Sequence, residues 1–207
     1  DANAILDHLG WDKVIPMGHS MGGGKTVLFA SRFAARTDRL IIVDHCPGSG
    51  GGLERALKQA VGKPATVFAS VEAAQEAMSR DRNTPPGSAA LARIESFLRP
   101  VAGGFVFPRD PDFGNPVPLD AGDGWAPEIV VEDYWAELAR VRVPTVIIRG
   151  TQSDRYKPDA IARVAKEFPN ILMIDVNSGH DVPGGARDEL IAGVKRFLAE
   201  HMAAAVA

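Results

Sequence analysis

The sequence predicts a doubly wound α/β fold on a mostly parallel sheet, and three observations carry that expectation. Four short apolar runs, residues 14–17, 40–43, 145–149 and 171–176, are mostly β-branched without strict alternation, as strands covered on both faces require. Amphipathic segments lie between or after them. The first run passes through a turn of small residues, Gly18-His19-Ser20-Met21-Gly22, into a helix-like segment ending near residue 35. Alternating strands and helices with right-handed crossovers build such a sheet.

Taken in order, residues 1–10 read as a helix with Ile5, Leu6 and Leu9 on one face and Gly10 as its stop. After the second strand, Gly48-Ser49-Gly50-Gly51-Gly52 opens a long interval that breaks the strand–helix rhythm. It carries helical patches at residues 53–61, 71–80 and 88–98. A Pro- and Gly-rich return over residues 100–124 follows, with Phe105, Phe107 and Phe113. A structureless loop of that length is unusual in a compact domain. The expected organisation is therefore a core of residues 1–46 and 125–207, with residues 47–124 inserted as a helical cap. Residues 125–140 read as a helix with Tyr134, Trp135 and Leu138 apolar. Two more helices follow: residues 158–168, with Pro158 in the first turn, and residues 186–202.

Composition narrows the partners. A length of 207 residues supports one packed core with an insertion. A formal net charge of −3 with no basic run argues against nucleic acid and anionic membrane. The single cysteine, Cys46, excludes an internal disulfide and suits a reducing compartment, so a cytoplasmic location is expected. No apolar run approaches the ~18 residues of a membrane span.

Gly24-Lys25-Thr26 imitates the end of a phosphate-binding loop, with Asp44 after the second strand as its acidic companion. That loop needs a glycine five residues before Gly24, where this chain has His19. With Gly18 one residue out of register, the cradle of N–H groups fails. A strand, a sharp Gly-x-Ser-x-Gly turn and a helix suit a nucleophilic serine instead. Ser20 would stand at the apex of the turn. The Met21 N–H, at the helix start, would face an oxyanion.

A nucleophilic serine needs a base, and the base needs an acid. Of the five histidines, His180 stands in Asn177-Ser178-Gly179-His180-Asp181, a loop leaving the last strand, and is the expected base. Asp154, in the loop after the third strand, is the expected acid; Asp44, on the same sheet edge, is its rival. Asp175 and Asp181 are too close to His180 in sequence to orient its ring from behind.

These motifs together resemble the capped α/β-hydrolase superfamily. Gly18-His19-Ser20-Met21-Gly22-Gly23 resembles its nucleophile elbow, and Val43-Asp44-x-x-Pro47 its exit from the next strand. Residues 143–154 resemble its acid segment, and Gly179-His180 its histidine loop. The resemblance covers residues 1–199 and is tightest outside the cap. It implies a Ser–His–Asp serine hydrolase with Ser20, His180, Asp154 and the Met21 N–H as catalytic groups, and no metal or organic cofactor. The implied substrate is a small molecule with an ester, lactone or amide bond. Candidate pocket residues are Phe105, Phe107, Phe113 and Trp125. Ser20 argues against the family's dehalogenases and epoxide hydrolases, which place aspartate at the elbow. The residue after His180 is not the tryptophan typical of its C–C hydrolases. A lyase, a cofactor-free oxygenase, a C–C hydrolase and a binding or receptor protein stand as alternatives.

The family's sheet also has strands that would precede residue 1, and its second oxyanion donor lies among them. The chain is therefore expected to be the C-terminal part of a larger protein, with an N-terminal segment pairing against the elbow strand. Loss of one oxyanion donor costs about 2.7–4 kcal/mol in a comparable serine hydrolase, so weak activity is expected of the isolated chain.

Overall fold

The computed structural model describes residues 1–48, 66–82, 89–108 and 133–203. The chain forms two compact units, one comprising Asp1–Ser49 with Glu132–Ala207 and the other Gly50–Val131.

The first unit holds a four-stranded parallel sheet. Its strands are β1 (Met17–His19), β2 (Leu40–Val43), β5 (Thr145–Gly150) and β6 (Ile171–Val176), in the order β1-β2-β5-β6. β3 (Arg99–Val101) and β4 (Gly104–Val106) lie in the second unit. Both faces of the central strands are covered, which is why Leu40, Ile41, Ile42 and Val43 of β2 and Val146, Ile147 and Ile148 of β5 are apolar and buried. Leu40, Ile42 and Ile147 point to one side and pack with Val27 and Ala30 of α2 (Met21–Arg32). The same cluster takes in Leu138 of α5 (Tyr134–Arg140), and Val164 of α6 (Pro158–Glu167) with Phe168 just beyond it. Ile41, Val43, Val146 and Ile148 point the other way. They meet Val182 of α7 (Val182–Gly185), and Leu190 and Phe197 of α8 (Arg187–Ala203). One-residue alternation within each strand thus divides the core into two layers.

Local chemistry sets the ends of these elements. α1 (Ala2–Leu9) stops at Gly10, whose φ of 66° is the left-handed cap glycine adopts readily. The first strand is shorter and later than residues 14–17 suggest. Pro16 has no N–H to donate, so Val14 makes only an isolated bridge to Thr37 and the regular ladder begins at Met17. α5 begins at Tyr134 because the Asp133 carboxylate accepts the Trp135 and Ala136 N–H groups, at 3.0 and 3.1 Å. The earlier part of the helix expected from residue 125 lies outside the described residues.

The second unit contains α3 (Val71–Arg82), α4 (Ala89–Ala92) and a hairpin of β3 (Arg99–Val101) and β4 (Gly104–Val106). Its apolar cluster joins Ala74, Leu91 and Ile94 with Phe68, Met78, Leu98 and Phe107. The hairpin replaces the irregular start expected after residue 100. Gly103, at φ 86°, makes its tight turn possible. The helix expected over residues 53–61, together with Phe113 and Trp125, lies outside the described residues. Among the described residues, no helix is long and apolar enough to cross a membrane.

Candidate active site

Because the strands are parallel, the loops leaving β1, β2, β5 and β6 all gather at one edge of the sheet. Ser20 lies between β1 and α2 and serves both. Its N–H donates to the Val43 carbonyl at 2.9 Å, continuing the strand ladder. Its carbonyl accepts from the Gly23 and Gly24 N–H groups at 2.9 and 3.4 Å, opening the helix. Meeting both demands in one residue requires φ 56° and ψ −123°, a strained backbone costing on the order of 1–3 kcal/mol. The turn closes tightly enough that a Cβ on Gly18 would lie 2.3 Å from the Gly22 carbonyl oxygen. The close approach is therefore Gly22 backbone onto Gly18; a Cβ on Gly22 itself would meet nothing within 4 Å. Met21 is the first residue of α2, so its N–H has no partner one turn earlier within the helix, while its side chain is exposed.

His180 is brought to Ser20. Its Nε2 is 2.8 Å from Ser20 Oγ, and its Nδ1 is 2.7 Å from Asp44 Oδ2. Asp44 is fully buried directly after β2, with φ 45° and its N–H bonded to the Ile148 carbonyl at 2.9 Å. Its other contacts are donors as well: the Gly150 N–H reaches Oδ1 at 3.0 Å, and the Ser153 hydroxyl reaches Oδ2 at 2.5 Å. Donors converging on both oxygens match a carboxylate, which only accepts. With Asp44 accepting, the neutral His180 ring carries its proton on Nδ1. Nε2 is left to accept from the Ser20 hydroxyl.

The acid facing His180 is therefore Asp44, and the expectation of Asp154 is corrected. Asp154 has 80% of its side chain exposed and pairs with the neighbouring Arg155 at 3.3 Å. The reason is the turn after β5, where the Ser153 N–H bonds the Gly150 carbonyl at 3.1 Å. The turn points the Ser153 side chain at Asp44, while Asp154 points to solvent. β2 sits between β1 and β5, so the residue leaving it is the nearer neighbour of the elbow. Sequence reasoning gave no role to Ser153 or Gly150. A Cβ on Gly150 would come within 2.4 Å of the Gly179 carbonyl oxygen, so glycine there lets the β5 exit approach the histidine loop.

Two further histidines border the elbow. The His19 ring lies 4.9 Å from the His180 ring, centre to centre, and its Nε2 is 2.6 Å from the His180 carbonyl oxygen. His45 packs its ring edgewise on Tyr134, 5.0 Å between centres; a Cβ on Gly24 would strike the ring at 2.8 Å, and one on Gly23 would strike the His45 Cβ at 2.6 Å. Tyr156 donates its hydroxyl to the His45 carbonyl at 2.5 Å. The His45 Nε2 is buried and has no hydrogen-bond partner among the described residues. Burial is the main cause that lowers its pKa from 6.5 to about 4, against the raising influence of the Ser20 backbone and Asp44.

A depressed histidine pKa means the unfolded chain binds the proton more tightly. Stability should then be flat above about pH 6.5 and fall as pH drops toward about 4, by at most about 3 kcal/mol from this group. Urea midpoints between pH 4 and pH 7 should show this slope in the wild type and a shallower one in His45→Phe. Equal slopes in the two would remove His45 as the cause.

Among the described residues no group of three or more His, Cys, Asp or Glu side chains could hold a metal ion.

Comparison with known proteins bears on this geometry. A family model described as alpha/beta hydrolase fold matches residues 1–183. A Haemophilus influenzae protein, named only provisionally as an esterase/lipase, is 28% identical over 208 residues, covering 96% of this chain and 64% of its own length. The 2-(acetamidomethylene)succinate hydrolase of Mesorhizobium japonicum is 22% identical over 176 residues, covering 85% of this chain and 60% of its own length. Among solved structures, an E-2-(acetamidomethylene)succinate hydrolase superposes with a TM-score of 0.76 at 19% identity, covering 96% of this chain and 71% of that one. An esterase from Mycobacterium tuberculosis gives 0.67 at 20% identity, covering 95% and 64%. Structural likeness at such identities speaks to the fold alone. The chain spans less than two thirds of the length of either curated relative.

Proposed function

The chain belongs to the alpha/beta hydrolase fold family, and we propose that it is a serine hydrolase cleaving an ester or lactone bond of a small organic substrate. The observation that carries this reading is the hydrogen-bonded line from Ser20 Oγ through His180 to buried Asp44. As Ser20 attacks the carbonyl carbon, His180 Nε2 takes the hydroxyl proton and Asp44 stabilises the imidazolium from Nδ1. The carbonyl oxygen becomes an oxyanion facing the Met21 N–H at the helix start. His180 returns the proton to the leaving oxygen as the C–O bond breaks, giving an acyl-Ser20 ester and an alcohol. Water, deprotonated by His180, then cleaves the acyl-enzyme and restores Ser20. An amide substrate would follow the same course with an amine leaving.

Trapping the acyl-enzyme tests the reading. Incubation with p-nitrophenyl acetate at mildly acidic pH, followed by quenching and peptide mass mapping, should place one acetyl group on Ser20. Turnover without any Ser20 ester would count against covalent catalysis.

We further propose that the open side of β1 is covered by a segment outside these 207 residues. β1 is the edge of the sheet; Met17 within it, and Ile15 and Met21 two residues to either side, expose large apolar side chains. An exposed apolar edge of this kind invites strand pairing. Because the Ser20 N–H points to β2, alternation turns the Met17 and His19 N–H groups to the open side. Those two amides should exchange quickly with deuterium in this chain alone and slowly in a longer form that includes the preceding segment. Fast exchange in both would refute the pairing.

A further inference from the structure

We infer that His19 is a positioning residue that fixes the His180 backbone to the nucleophile turn; this rests on the serine-hydrolase reading above. The residue immediately before Ser20 sits in the ladder of β1, opposite Val43 of β2. Its backbone therefore belongs to the rigid sheet that also holds the nucleophile. Its side chain crosses to the histidine loop, where Nε2 lies 2.6 Å from the His180 carbonyl oxygen. A carbonyl oxygen only accepts, so Nε2 of His19 carries the proton and donates. The same carbonyl also accepts the Val182 N–H at 3.0 Å, which closes the turn locally.

Two other bonds of the loop run elsewhere. The Gln152 N–H bonds the Ser178 carbonyl at 2.9 Å, and the Ser178 hydroxyl bonds the Asp181 carbonyl at 3.4 Å. These hold the loop to the β5 exit and to itself. The His19 bond acts on a different coordinate, the distance between the main chain of the base and the turn that presents Ser20. The tilted ring contact at 4.9 Å closes the same gap with van der Waals surface. His180 has 28% of its side chain exposed, so its burial alone does not fix it. Proton transfer demands a heavy-atom separation near 3 Å, and a shift of about 1 Å in such a group can cost on the order of a hundredfold in rate. His19 thus sets the Nε2–Oγ distance without touching substrate.

The rate of covalent modification by a fluorophosphonate reads this directly, separated into binding (KI) and bond formation (kinact). The informative replacement is His19→Gln, because the glutamine amide nitrogen lies as many bonds from Cα as histidine Nε2. His19→Leu removes the donor, and His19→Asn keeps polarity but falls one bond short. The expected result is a kinact about tenfold lower in His19→Leu and His19→Asn, KI unchanged, and recovery to within about threefold of wild type in His19→Gln. Thermal midpoints of the Asn and Gln variants should agree, which a purely structural role would not separate from activity. A kinact in His19→Asn equal to wild type, or equally slow Asn and Gln variants, would overturn the inference while leaving the hydrolase reading intact. A wild-type protein that takes no label at Ser20 would bring down both.

Discussion

Replacing His180 with alanine should lower kcat by about 10⁶-fold, the scale seen when the base of a serine triad is removed. Among the described residues nothing else placed at Ser20 Oγ can take its proton: the neighbouring His19 ring spends Nε2 on the His180 carbonyl, and Met21 offers only a donor. The fold should survive, because Asp44 keeps the Gly150 N–H and the Ser153 hydroxyl when the imidazole is gone. Circular dichroism should therefore match wild type while hydrolysis of a p-nitrophenyl ester disappears. A variant with more than a tenth of wild-type kcat would remove His180 from the base role.

The second large effect is expected at Asp44. Asparagine has nearly the same shape, and its carbonyl oxygen can still accept the Gly150 N–H. Its NH₂ group then faces His180 Nδ1 or the Ser153 oxygen. Where it donates to Nδ1, the imidazole must hold its proton on Nε2, pointing at Ser20, and can no longer act as base. A tautomer reversed in this way costs about 10⁴-fold in kcat. Asp154→Asn should leave kcat roughly unchanged, since its side chain is exposed and pairs with the neighbouring Arg155. Measuring the two variants together separates the positions, and a larger loss at Asp154 would reverse the assignment.

The strands were legible because burial on both faces leaves a mark that composition preserves: runs such as Leu40-Ile41-Ile42-Val43 have few other uses. The β1 boundary was not, because Pro16 is apolar enough to extend a run yet cannot supply its ladder bond. The hairpin at residues 99–106 was hidden by its brevity and by Pro100, although Ala102-Gly103-Gly104 carried a turn signal. Ser20 and His180 stood out because each lies at a strand exit within a small-residue turn. Their acid was harder for a specific reason. Asp44 and Asp154 both give the chain order Ser, Asp, His and both follow strands, so only lateral strand order and the turn after β5 distinguish them. Sequence spacing carries neither. Ser153 and His19 escaped for the same reason, since their partners lie 109 and 161 residues away.

Catalysis of this kind stands or falls on Ser20 as a nucleophile activated by its neighbours. A biotinylated fluorophosphonate, applied to wild type and to Ser20→Ala and read by peptide mass spectrometry, addresses this most directly. The expected result is a single adduct on Ser20 in wild type and none in Ser20→Ala, which should otherwise fold alike. Equal labelling of the two proteins, or a folded wild type that takes no label at Ser20, would contradict it.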